Sequence, residues 1–142
     1  MLDFTSKLGL RALKRLGHEF TIWLTTVSPK GIPQPRPVWF IWDGEAFLIF
    51  SQPDTQKLRH IAQNPNVSLH FDGGEKGLDV QVFTGTAEII PDPIPADRLN
   101  PYLQKYGAEI RRMGATEDAF AKEYRVALRV IPTKLRGFSS QE

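Results

Sequence analysis

Pro33-Gln34-Pro35-Arg36-Pro37-Val38-Trp39-Phe40-Ile41-Trp42, then Asp43-Gly44, then Glu45-Ala46-Phe47-Leu48-Ile49-Phe50-Ser51 is the stretch whose reading decides the fold. Both flanks are rich in aromatic and β-branched residues, which suit a pleated, half-buried surface. Asp-Gly between such flanks signals a hairpin, because glycine accepts the positive φ that a tight reversal needs. The spacing predicts one strand reaching Trp42 and a returning strand over 47–51. Gln52-Pro53-Asp54-Thr55 then opens a short helix over 55–63, capped by Asp54 or Thr55 and stopped by Asn64-Pro65.

On the N-terminal side, Leu8, Leu10, Leu13 and Leu16 alternate with Lys7, Arg11, Lys14 and Arg15. That pattern predicts an amphipathic helix over 5–17, with Thr5 or Ser6 as N-cap and Gly17 as stop. Residues 20–27 read as a strand, and Ser28-Pro29-Lys30-Gly31 as a turn. On the C-terminal side, 66–72 alternates as a strand, and Gly73-Gly74-Glu75-Lys76-Gly77 is a loop. A long strand over 78–90 follows, bent or bulged at Gly85. Pro91, Pro93 and Pro95 stiffen a crossing segment. Helical pieces over 96–106 and 116–123 come next, and 107–114 reads equally as helix or loop. A last strand spans 124–131, and 134–138 finishes the ordered chain. Six or more strands joined mainly by hairpins favour a mainly β (α+β) fold, a small antiparallel barrel with peripheral helices, over a parallel sheet. One domain over 1–142 is expected, with the helix in 1–17 and the barrel in 18–138.

The 142 residues are enough for a single core, and 41% hydrophobic with 24% charged is the composition of an ordinary globular domain. Net charge is +2, from 18 Lys+Arg against 16 Asp+Glu, with no long block of like charge. A dedicated nucleic-acid surface is therefore not expected. There is no cysteine, so disulfides and thiolate metal sites are excluded. His18, His60 and His70 lack the spacing of a helical zinc motif. No apolar run approaches the roughly 18 residues of a membrane span, and no signal-peptide core is visible, so a cytoplasmic location is expected.

The prolines at 33, 35 and 37 carry information of their own. At this spacing their missing N–H groups all fall along one edge of the strand, while Gln34, Arg36 and Val38 can still donate along the other. Protection of an edge strand is the commoner reason for such prolines. The alternative is a barrel left open here, with a planar ligand against the exposed backbone. Lys57 and Arg59 also have two readings: a solvated helix face, or an anion site, since helix N-termini present unpaired N–H groups. Arg36 adds a cation on the preceding strand. Trp39 and Trp42 lie three apart in a strand, so they face opposite sides and cannot both enter one core, and one of them meets a ligand or a partner subunit. No Ser-His-Asp order or paired acid/base carboxylates stand out, which points to chemistry carried by a bound cofactor, a phosphorylated one with a large flat ring.

Helix, strand, strand–Asp43-Gly44–strand, a Ser51…Lys57-x-Arg59 turn and an Asn64-Pro65 helix stop together resemble the pyridoxamine 5'-phosphate oxidase-like flavin-binding split-barrel superfamily. The resemblance spans nearly the whole chain. Its R-P-V-W-F strand (Arg36–Phe40) and the turn from Ser51 to Arg59 are most similar to the small deazaflavin (F-420)-dependent reductases. The resemblance implies a split barrel and an obligate homodimer with cofactor sites at the subunit interface. It implies that Lys57 and Arg59, helped by Ser51 and Gln52, grip the cofactor phosphate. Gln34, Pro35, Arg36, Pro37, Val38 and Trp39 would line the ring, with backbone groups of Arg36 and Val38 at its polar edge. Gln81 would close the site from the other subunit. The implied activity is hydride transfer between reduced coenzyme F-420 and a small conjugated organic acceptor. FMN is the alternative cofactor, and non-catalytic storage of a flavin-like or haem-derived molecule is the alternative role. The C-terminal arginine–histidine motif of the true pyridoxamine phosphate oxidases is not found, since Arg136-Gly137-Phe138 is too little to stand in for it. F-420 also carries an anionic oligoglutamate tail, for which Lys7, Arg11, Lys14 and Arg15 are candidate partners, unless they form a solvated helix face.

Overall fold

A computed structural model describes residues 2–91 and 93–139. The ends of the single-domain reading, and the middle of the proline-rich crossing segment, lie outside the described residues. The element order is α1 (Lys7–His18), β1 (Thr21–Val27), β2 (Pro33–Trp39), β3 (Ile41–Trp42), β4 (Phe47–Ser51), α2 (Gln56–Gln63), β5 (Asn66–His70), β6 (Asp79–Ile90), α3 (Ala96–Arg112), α4 (Glu117–Glu123) and β7 (Val126–Ser139). The strands form one antiparallel sheet in the order β2-β1-β5-β6-β7-β4-β3. Its two edge strands, β2 and β3, are joined through a single residue, Phe40. The sheet must therefore curl until its opposite edges meet at Phe40. Away from that residue β2 leaves the barrel wall, and the barrel is split.

The break at Phe40 corrects the expectation of one strand through Trp42. A buried tyrosine from α3 holds it: the Tyr106 hydroxyl accepts the Phe40 N–H at 2.8 Å and lies 2.8 Å from the Phe40 carbonyl and 2.7 Å from that of Phe20. One phenol proton is shared between those two acceptors. Lys105, the next residue, donates to the carbonyls of Glu19 and Phe40, both at 2.9 Å, with its ammonium 4.0 Å from the centre of the Phe40 ring.

Two apolar clusters pack on the two faces of β4, whose five residues are all buried. Phe47 and Ile49 point into the barrel with Ile22, Leu24, Leu69, Phe83, Leu128 and Val130. Leu48 and Phe50 point outward under Tyr102, Tyr106, Ile110 and Phe120 of α3 and α4. Residues 107–114, open in the sequence, continue α3 to Arg112, and Gly114 (φ +90°) ends the turn. The last strand is also longer than expected, because β7 ladders with β6 from Ala127 to Ser139. The expected bulge lies at Thr84/Gly85. A Cβ on Gly85 would overlap the Ile131 carbonyl oxygen, so the ladder shift needs glycine there.

The first helix departs from its predicted orientation. It runs through Gly17 to His18 and buries Ala12, Arg15 and Leu16, while Leu10 and Leu13 are exposed. Ser6 caps it through the Gly9 N–H at 3.0 Å. Arg11 and Arg15 face the barrel, where both pair with Asp79 of β6. They are therefore not free for an anionic tail. No described helix is long and apolar enough to cross a membrane.

Candidate functional site

The prolines of β2 behave as their spacing requires. β2 ladders only with β1, in a register that pairs Gln34 with Thr26, Arg36 with Leu24 and Val38 with Ile22. Because proline cannot donate, these three are the hydrogen-bonded pairs, and each exchanges both N–H and C=O with β1. The backbone groups of Arg36 and Val38 are thus spent inside the sheet. The free edge carries instead the carbonyls of Pro35 and Pro37, acceptors with no donors between them.

Along that edge lies a cavity of about 330 Å³ lined by Arg36, Pro37, Val38, Trp39, Phe50, Lys57, Tyr102, Met113, Phe120 and Tyr124. Residues of both strand parities line it because it faces the edge of β2, in the split, rather than a face of the sheet. Its walls are aromatic. Phe50 and Tyr102 stack at 4.0 Å and 2°, Trp39 and Tyr106 at 4.5 Å and 2°, and Phe120 and Tyr124 at 4.4 Å and 13°.

Two cations enter this apolar space. Burial, and after it the positive charge of Arg36, hold the Lys57 ammonium below its usual pKa. Arg36 Nε is buried without an acceptor. Among the described residues neither cation forms an ion pair. Like charges in a shared low-dielectric space repel, and an anion between them removes both the repulsion and the missing acceptor. Lys57 also stands in the first turn of α2. The N-cap there, Thr55, gives the helix no side-chain cap, because its Oγ1 lies 3.2 Å from Ser51 Oγ instead. The first amides of α2 are left for an external acceptor.

The other predicted residues are placed as follows. Arg59 is exposed and donates to the Asp54 carbonyl at 2.6 Å. It is two residues from Lys57, and residues so spaced on a helix do not face each other, so it lies outside the cavity lining. Ser51 is buried and donates to the Gln52 carbonyl at 2.7 Å, while Gln52 Nε2 donates to Glu123 at 2.6 Å. These two side chains brace the β4–α2 turn, and Gln52 ties it to α4. Gln34 and Pro35 lie further along β2, outside the cavity lining. Gln81 is buried on the α1 side, with its amide oxygen on Arg15 at 2.8 Å and its nitrogen on Asp79 at 2.9 Å. Each end of that amide has a partner within the chain. Sequence reasoning missed Tyr102, Met113, Phe120 and Tyr124. The four-residue spacing of Tyr102, Tyr106 and Ile110 marks a packing face, but nothing local says which surface it covers. Among the described residues no cluster of His, Asp or Glu could hold a metal ion.

Residues 11–139 match the family model described as pyridoxamine 5'-phosphate oxidase. The chain belongs to the pyridoxamine 5'-phosphate oxidase family. This is a flavin-binding oxidoreductase family, and the fold is its split barrel. A pyridoxine/pyridoxamine 5'-phosphate oxidase of Bacteroides thetaiotaomicron is 34% identical over 88 residues, 60% of this chain and 41% of that protein. The match thus spans less than half the length of this family member. Among solved structures, an F420 reductase is 30% identical with a TM-score of 0.69, covering 87% of this chain and 94% of that one. Two more distant structures share the family's fold. A conserved hypothetical protein of Mycobacterium tuberculosis is 20% identical with a TM-score of 0.72, over 96% of this chain and 86% of that one. A haem storage protein of Vibrio cholerae is 18% identical with a TM-score of 0.65, over 96% of this chain and 100% of that one.

Proposed function

We propose that this chain transfers hydride between reduced coenzyme F-420 and a small conjugated organic acceptor, with the cofactor held in the split between β2 and β4. One observation carries the reading: Arg36 and Lys57 share an aromatic-walled cavity, and among the described residues no carboxylate pairs with either. That donor set fits a phosphorylated flat ring. F-420 is placed ahead of FMN because the F420 reductase is similar over most of both chains. The bound ring supplies the hydride.

The chain's own residues do the rest. Lys57 and the first amides of α2 take the phosphate. The Pro37 carbonyl accepts from a donor on the ring's polar edge. Trp39, Phe50, Tyr102, Phe120 and Tyr124 exclude water and leave one side open, past exposed Met113, for the acceptor. No side-chain acid is required where solvent delivers the proton.

A homodimer belongs to the same proposal. The outer face of β2-β1-β5-β6 aligns Pro37, Trp23, His70 and Val82 in one cross-strand row. Trp23 is 38% exposed and stacks on His70, and Phe138, on β7 beside β6, is 53% exposed. Such an apolar face suits a second copy of the chain.

Titration of the purified protein with F-420 and with FMN, followed by ring fluorescence, tests the cofactor. F-420 is expected to bind more tightly. Preferential FMN binding would select the alternative cofactor, and no binding of either at micromolar concentration would remove the proposal.

A further inference from the structure

Two successive turns of α3 each carry a tyrosine that lies flat on a strand aromatic. Tyr102 stacks on Phe50 and Tyr106 stacks on Trp39, each pair within 2° of parallel. Tyr102 lines the cavity itself, whereas Tyr106 is fully buried and does not. Tyr106 nevertheless grips Trp39 in two ways at once. Its ring fixes the plane of the indole at 4.5 Å. Its hydroxyl fixes the backbone at the adjoining residue by accepting the Phe40 N–H and reaching the Phe40 carbonyl. Phe20 meets both rings edge-on, at 5.5 Å from Trp39 and 4.7 Å from Tyr106. A side chain on a broken strand, at the mouth of a split, would otherwise be free to turn about χ1 and χ2.

We propose that Tyr106 is a positioning residue for the ring site: it holds Trp39 in the orientation that forms the cavity wall, and it does so without touching the ligand. This rests on the reading of the split as the ring site. Pre-organisation of this kind strengthens binding by removing the ordering cost of the wall. Lys105 supplies an internal control. It also ties the Phe40 carbonyl to α3 and packs beside Tyr106, yet makes no ring contact with Trp39.

The test compares Tyr106→Phe, Trp39→Phe, the double variant and Lys105→Met. F-420 affinity is read by fluorescence titration, and stability separately by urea unfolding. Tyr106→Phe keeps the stacked ring and removes only the hydroxyl's hold on the Phe40 backbone, while Trp39→Phe shrinks the stacked wall itself, and each should weaken ring binding about twofold to tenfold. In the Trp39→Phe background, Tyr106→Phe should cause no further loss of affinity. Lys105→Met should lower stability and leave affinity within about twofold of the parent. Phe20→Leu loosens the same stack from the surface, and it should reproduce the affinity loss even if Tyr106→Phe does not fold. Additive losses in the double variant, or affinity losses that track stability across all variants, would reduce Tyr106 to a structural residue. If neither Trp39→Phe nor Lys57→Ala changes affinity, the assignment of the split as the ring site falls as well.

Discussion

Lys57 of α2 and Arg36 of β2 enter one cavity, and the charge of the guanidinium adds to burial in destabilising the ammonium. Ionisable pairs in folded proteins usually combine opposite signs. Two cations left together in an apolar space, with no ion-pair partner among the described residues, are what supports the proposed anion site.

Lys57→Ala and Arg36→Ala should each weaken F-420 binding about tenfold to a hundredfold, the range of a lost charge-assisted hydrogen bond of about 1.5–3 kcal/mol. Ligand-free stability in urea should stay constant or rise slightly, since the like-charge repulsion is removed. Binding needs the charged amine, so affinity should fall as pH rises through the lowered Lys57 pKa, at lower pH than for an ordinary lysine. Unchanged affinity in both variants would separate these cations from the site.

Lys105, Tyr102 and Tyr106 of α3 predict a stability maximum on the alkaline side. Burial lowers the Lys105 pKa to about 8, against an ordinary 10.5. The unfolded chain therefore holds more protons between those two values, and this group's contribution makes stability rise with pH across that window. Burial raises the Tyr106 and Tyr102 phenols above their ordinary 10.0, so above pH 10.0 the folded chain holds more protons and stability falls. Urea unfolding from pH 7 to about 11 should show the rise and then the fall. Lys105→Met should flatten the rise, leaving only the smaller part due to Lys57.

Asp79 anchors α1 to β6. Its carboxylate accepts from Arg11 Nε at 3.1 Å and from Gln81 at 2.9 Å, and it lies 3.6 Å from Arg15. The bond from Arg11 dominates, and it holds the carboxyl far below its ordinary 3.8. The stability from this group is present above pH 3.8 and is lost as pH falls below it. Asp79→Ala leaves buried Arg15 with a lost partner and should cost about 3 kcal/mol or more in urea unfolding. The acid limb of its stability profile should be shallower than that of the parent.

The exposed indole of Trp23 predicts an assembly defect. Trp23→Asp puts a charge in the centre of the outer sheet face, and the mass measured by light scattering should drop from that of a dimer to that of a single chain. Phe138→Asp, at the far side of the same face, should weaken the dimer in parallel. A parent protein that is a single chain at micromolar concentration would remove the dimer from the proposal.

Much of the barrel was legible because its signals are local. The Asp43-Gly44 reversal, the alternation in 66–70 and the bulge at Gly85 each follow from dihedral freedom or side-chain period within a few residues. The misreadings have a common origin in contacts distant along the chain. Phe40 breaks the strand because a hydroxyl from Tyr106 takes its N–H. Arg15 points inward because Asp79 is there to receive it. Residues 107–112 are helical because Tyr106 and Ile110 bury themselves on β4.

Sequence by itself determined most of the strand list, the free proline edge and the residues able to meet a phosphate, since turn geometry, missing N–H groups and charge belong to individual residues. Only the tertiary structure decided that Arg36 joins Lys57 while Arg59 stays outside the cavity lining, and that α3, α4 and the residues ending them supply four of its ten lining residues. Those relationships depend on how the sheet curls and where α3 and α4 land on it, and the free energy that sets both is shared across the whole core.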